Sequence, residues 1–141
     1  MSEQALREIL SLPGRTGVLT TIKRDGRPQL SVVGHHYDPE TSTLSISVTD
    51  DRAKTRNLRR DPRASYLVAG ETRWQYVVAE GTAEVGAVTT EPGDAASEEL
   101  GTLDRTLAGE HPDWDEYRAA MVAERRLVLR IRVERVYGLA G

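Results

Sequence analysis

Residues Asp51 to Arg63 hold six basic side chains, Arg52, Lys54, Arg56, Arg59, Arg60 and Arg63, against two Asp. That is a balance of +4 in a chain whose net charge is −3, so the remaining residues sum to −7. The spacing predicts a helix over 52–60, capped by Asp50 or Asp51 and stopped by Pro62. A helix N-terminus carries unpaired N–H groups and a partial positive charge. Arg52 and Lys54 fall in that first turn, so a phosphate or carboxylate there meets both the dipole and the side chains. Arg56, Arg59, Arg60 and Arg63 cannot all face one ligand, and some must be solvated or paired with acids such as Asp61. The competing reading of the whole segment is an ordinary exposed charged helix.

Other chemistries find little support. The chain has no cysteine, which removes thiol nucleophiles, disulfides and thiolate metal sites. His35 and His36 are neighbours on a predicted strand and point to opposite faces, so they do not share an ion. There is no Gly-x-Ser-x-Gly elbow, P-loop or dinucleotide fingerprint. Neither a catalytic side chain nor a metal site is predicted. A basic island in an acidic protein suits a small anionic ligand better than a nucleic-acid backbone. No apolar run approaches the ~18–20 residues that span a bilayer, and residues 1–7 lack a signal-peptide pattern, so a cytoplasmic protein without a membrane partner is expected.

The elements that must position the basic helix follow from periodicity. Leu6, Ile9 and Leu10 predict a short helix over 2–11. Strands are predicted at 16–22, 28–37 and 43–49, joined by the Asp25-Gly26 and Asp38-Pro39 turns into an antiparallel meander. In the third strand Leu44, Ile46 and Val48 alternate with Thr43, Ser45, Ser47 and Thr49. In the second, Leu30 and Val32 alternate with Gln29, Ser31 and Val33 in a similar way. Two strands that share a small, polar face offer a floor for a flat ring, or simply meet water. After the basic helix come strands at 64–69 and 74–85, with Gly81 marking a bulge. Trp74 and Tyr76 share a face of the latter, either in the core or as walls for a planar ring. A polar connector, helices over 96–108 and 113–125, and strands 127–133 and 136–139 complete the chain. One domain, 1–141, is expected, mainly β with inserted helices: a closed or split antiparallel barrel of about six strands.

Several stretches resemble one family. They are GVLTTIKRDGRPQLS over Gly17–Ser31, RAKTRNLRRDPRAS over Arg52–Ser65, AEGTA over Ala79–Ala83, GEHPDWDEY over Gly109–Tyr117 and VYGL over Val136–Leu139. They resemble the pyridoxamine 5′-phosphate oxidase-like (FMN-binding split barrel-like) superfamily, and within it the actinobacterial branch that uses the deazaflavin F420. The resemblance implies a homodimer with cofactor sites at its interface and hydride transfer to a small electron-poor substrate. It implies a ring lying near Ser31, Val33, Ser47 and Thr49. It implies phosphate and tail held by Arg52 and Lys54, with Asn57 nearby, and a pocket closed by Trp74 and Tyr76 of the other subunit. FMN-using members place an Arg on the second strand where this chain has Ser31, and their C-terminal substrate signature is absent. That departure favours F420, with FMN as the alternative cofactor. A non-catalytic carrier and an FMN-dependent oxidase are the alternative functions.

Overall fold

The computed structural model describes residues 2–141. Its elements are α1 (Glu3–Leu10), β1 (Thr16–Ile22), β2 (Pro28–Gly34), β3 (His36–Asp38), β4 (Thr43–Thr49), α2 (Ala53–Arg60), β5 (Arg63–Ala69), β6 (Tyr76–Val85), α3 (Ala95–Ala108), α4 (Trp114–Ala123) and β7 (Arg126–Leu139). The seven strands form one antiparallel sheet in the order β2-β1-β5-β6-β7-β4-β3. It curls around a core that includes Leu19, Leu44, Ile46, Val48, Tyr66, Val68, Val77, Leu129 and Ile131. This is the expected split barrel, and α1 contributes Leu6, Ile9 and Leu10 to its core. Each such buried side chain contributes about 1.5–3 kcal/mol of transfer free energy.

The predicted second strand departs from expectation in an instructive way. It breaks at His35 into β2 and β3, which lie at opposite edges of the sheet. The expected meander is therefore two hairpins, β1–β2 and β3–β4, and β4 takes β7 as its other neighbour. The break has a physical cause. His35 turns inward and is buried, with Nε2 at 2.9 Å from the Leu10 carbonyl and Nδ1 at 2.6 Å from the Tyr66 hydroxyl. A carbonyl only accepts, so Nε2 carries the proton and Nδ1 accepts from Tyr66. One imidazole thus ties α1 and β5 to the point where the chain crosses from one sheet edge to the other.

The second correction concerns faces. Leu30 and Val32 do not join the core; they are 59% and 70% exposed, while Gln29, Ser31 and Val33 turn inward. Register extends this outer apolar surface across five strands. Val32 pairs with Val18, Val18 with Leu67, Leu67 with Val78, and Val78 with Tyr137. Tyr76 and Leu139 are paired beside that row. The third correction joins the two predicted closing strands into the single β7. The β6–β7 register shifts between Glu80 and Gly81, so Gly81 does stand at a bulge. A Cβ at Gly81 would collide with the Arg132 carbonyl, which is why no larger residue fits.

Candidate cofactor-binding site

The site begins with what α2 lacks. The N-caps of α1, α3 and α4 are Ser2, Asp94 and Asp113, each accepting a backbone N–H through its side chain. The N-cap of α2 is Arg52, and no side chain caps it. The expected cap from Asp50 or Asp51 does not form. Asp50 is occupied by Arg59 at 2.6 Å and Arg125 at 2.7 Å, and the hydrogen bond from Arg59 holds its carboxyl below the usual carboxylate range. The start of α2 therefore presents unpartnered N–H groups with their partial positive charge.

That open end borders a groove of about 230 Å³. β2 and β4 line it through Val33, Ser47 and Thr49, among others, and three cations flank it: Arg52, Lys54 and Arg126. No carboxylate lines it. Among the described residues Arg52 and Lys54 have no ion-pair partner, while Arg126 pairs with Glu124 at 2.9 Å and donates to Ser47 Oγ at 3.2 Å. Burial lowers the Lys54 pKa, and the neighbouring charges of Arg52 and Arg126 lower it further. Burial and like charge both penalise the ammonium, so an arriving anion relieves the site.

Hydroxyls on the two strands that line the groove point the same way, Thr49 at the groove itself and Ser31 on β2. Ser31 Oγ and Thr49 Oγ1 are buried and have no hydrogen-bond partner among the described residues. A buried hydroxyl left unpaired costs about 1–3 kcal/mol, so such groups are normally satisfied by something. A polar, anion-tailed cofactor fits this donor set of open helix N–H groups, three cations and two unpartnered hydroxyls.

Of the residues singled out from sequence, Val33, Ser47, Thr49, Arg52 and Lys54 come together around the groove, and Ser31 lies on β2, the strand that also carries Val33. Asn57 does not line it. Its Nδ2 donates to Thr21 Oγ1 at 3.1 Å and to Gln29 Oε1 at 3.4 Å, and its Oδ1 accepts from Arg60 at 3.2 Å. This buried knot fastens α2 to the β1–β2 hairpin. Of the other cations of α2, Arg59 is spent on Asp50 and Arg60 on the Ile22 carbonyl, while Arg56 is exposed and does not line the groove; Arg63, just beyond the helix, pairs with Asp61. Trp74 and Tyr76 do not line the groove of their own chain. Trp74 is in the β5–β6 turn, not in the strand as expected, 69% exposed with Arg73 stacked 5.0 Å over it. Tyr76 opens β6 on the outer face.

Sequence reading missed Arg126. It precedes the expected strand 127–133 and carries no motif. Only the β4–β7 register, which sets Arg126 opposite Thr49, brings it to the groove.

The structure has close relatives. An F420H(2)-dependent biliverdin reductase of Mycobacterium tuberculosis (strain CDC 1551 / Oshkosh) is 29% identical over 123 residues, 87% of this chain and 78% of that protein. A solved F420 reductase shares the fold with a TM-score of 0.69 at 21% identity, over 93% of this chain and 94% of the other. A FAD-binding protein from Mesorhizobium loti has a TM-score of 0.67 at 20% identity, over 96% and 92% of the two chains. The profile of the pyridoxamine 5′-phosphate oxidase family matches residues 2–140. That match, over nearly the whole of a chain folded as a split barrel, places this chain in the pyridoxamine 5′-phosphate oxidase family.

Proposed function

We propose that this oxidoreductase is an F420-dependent reductase that passes a hydride from reduced deazaflavin to a small electron-poor organic substrate. The observation that carries the reading is the carboxylate-free groove in which Arg52, Lys54 and Arg126 meet the uncapped start of α2. Those groups would hold the phosphate and acidic tail. Ser31, Val33, Ser47 and Thr49 would border the ring, with the two unpartnered hydroxyls as its hydrogen-bond partners. When bound, the deazaflavin supplies two electrons and one proton as hydride to a substrate carbon, and the second proton comes from solvent. This chain's contribution is position, electrostatics and exclusion of water. The similarity to the mycobacterial F420H(2)-dependent biliverdin reductase supports the choice of cofactor.

The reading includes a homodimer in a cytoplasmic setting. Its support is the outer apolar surface: six large apolar side chains, Leu30, Val32, Leu67, Trp74, Tyr137 and Leu139, stand exposed on or beside the five-strand face. Contiguous apolar surface of this kind marks an interface. A second copy seated there would bring its own Trp74 and Tyr76 toward the groove.

Titration with F420 and with FMN, followed by intrinsic Trp fluorescence, tests the cofactor. The reading expects F420 to bind tighter than FMN, and an F420 affinity weaker than millimolar would sink it. Anaerobic mixing of reduced F420 with quinones and enones separates an enzyme from a carrier. Oxidation above the protein-free control marks the enzyme.

A further inference from the structure

A second cavity, about 340 Å³, lies between α3, α4 and β4. Ser47 and Arg126 line both this slot and the cationic groove, so the two spaces meet at those side chains. The slot's apolar walls are built from Leu100, Leu103, Leu107 and Met121 with Tyr117, and two carboxylates, Asp104 and Glu124, complete the lining. Leu107 is 51% exposed. The Tyr117 hydroxyl is turned away, donating to the Leu100 carbonyl at 2.9 Å. One carboxylate in the slot is free. Glu124 is held by Arg126, whereas Asp104 has no hydrogen bond or ion pair among the described residues. The volume falls within the roughly 300–1,000 Å³ range of small-molecule sites, which pair apolar walls with a few placed polar groups.

We infer that this slot seats the apolar body of the organic substrate, and that Asp104 receives a cationic or N–H donor group carried by that body. The inference rests on the F420 reading for its catalytic meaning, but the slot's ligand chemistry is independent of it. Because the hydrogen-bonded pair Ser47 and Arg126 is the wall shared by the two spaces, a molecule in the slot lies next to whatever occupies the groove. The unpaired carboxylate opposes the positive charge of the groove and so separates the preferences of the two spaces: anion in one, apolar donor in the other.

The test uses two fluorescent naphthalenes on cofactor-free protein, dansylcadaverine, which carries an amine, and the anionic 8-anilinonaphthalene-1-sulfonate. Saturable binding is expected with the amine tighter. Asp104→Asn should weaken the amine about tenfold, the loss of one charged contact, and should not weaken the sulfonate. Leu107→Trp should weaken both by narrowing the mouth, with circular dichroism confirming that each variant is folded. In turnover with reduced F420, Asp104→Asn should raise KM for an aminoalkyl naphthoquinone about tenfold and leave KM for menadione and for reduced F420 unchanged. No saturable binding of the amine, or an amine affinity indifferent to both substitutions, overturns the inference. If F420 does not bind while the probes behave as described, the cofactor reading fails and the slot stands. If F420 turns over and both variants leave every quinone KM unchanged, the slot fails and the cofactor reading stands.

Discussion

Arg126 stands opposite Thr49 in the β4–β7 ladder, and this pairing brings a cation from the last strand to the groove flanked by Lys54 of the helix that follows β4. Arg126→Ala should therefore weaken F420 binding. Loss of one charge-assisted contact costs roughly 1.5–3 kcal/mol, about ten- to a hundredfold in Kd. Fluorescence titration at two salt concentrations checks it, and the salt dependence should flatten in the variant. An unchanged Kd would remove Arg126 from the site.

Lys54 makes a paired prediction for binding and stability. Its pKa is lowered from the ordinary 10.5 by burial and by Arg52 and Arg126. Between that lowered value and 10.5 the unfolded chain binds more protons than the folded one, so cofactor-free stability rises with pH across that window. At neutral pH the charged ammonium is a cost. Lys54→Met should remove it and raise the Tm of the cofactor-free protein. The same change should weaken F420 ten- to a hundredfold. Calorimetry with and without F420 reads both effects.

The His35 imidazole is neutral in the fold because burial holds its pKa below 6.5. Above pH 6.5 it is neutral in both states and costs nothing. As pH falls below 6.5 the unfolded chain takes up a proton that the folded chain resists, so stability is lost on acidification. Urea denaturation at pH 7.5 and 5.0 should show this loss, and His35→Gln should shrink it. Tyr66→Phe removes the donor to Nδ1 and should cost about 1–3 kcal/mol at pH 7.5.

Leu67 is central in the outer row that runs from Val32 to Tyr137. Leu67→Lys should leave the protomer folded, because this side chain is exposed in it. It should convert a dimer to a monomer in sedimentation. A wild-type protein that sediments as a monomer at all concentrations would refute the dimer.

Asn57 separates two roles. Its amide binds Thr21, Gln29 and Arg60, so Asn57→Ala should destabilise the fold by about 1–3 kcal/mol. F420 affinity measured below the shifted Tm should stay within a factor of about three. A large loss of affinity without a loss of stability would return Asn57 to the cofactor.

Much of this protein was legible in one dimension because its physics is local. Alternation in 43–49 set Leu44, Ile46 and Val48 inward, since a strand's side-chain period is two whatever it pairs with. The basic run, bounded by Asp50-Asp51 before it and Pro62 after it, identified α2 and put Arg52 and Lys54 at its start. What tertiary structure decided was everything that depends on which strand lies beside which. The face of β2 reversed, because a strand pairing with β1 alone, at an edge, is turned by its neighbour and not by its own hydropathy. The chain from 28 to 38 became two strands because His35 found Leu10 and Tyr66, partners 25 and 31 residues away. Asp50 left the helix cap for Arg59 and Arg125, the latter across the fold, and Arg126 reached the groove through a register that no local pattern encodes. The sequence determined which segments could grip an anion, and pairing in the fold, local for Arg59 and Arg63 and long-range for Arg126, decided which cations face the groove.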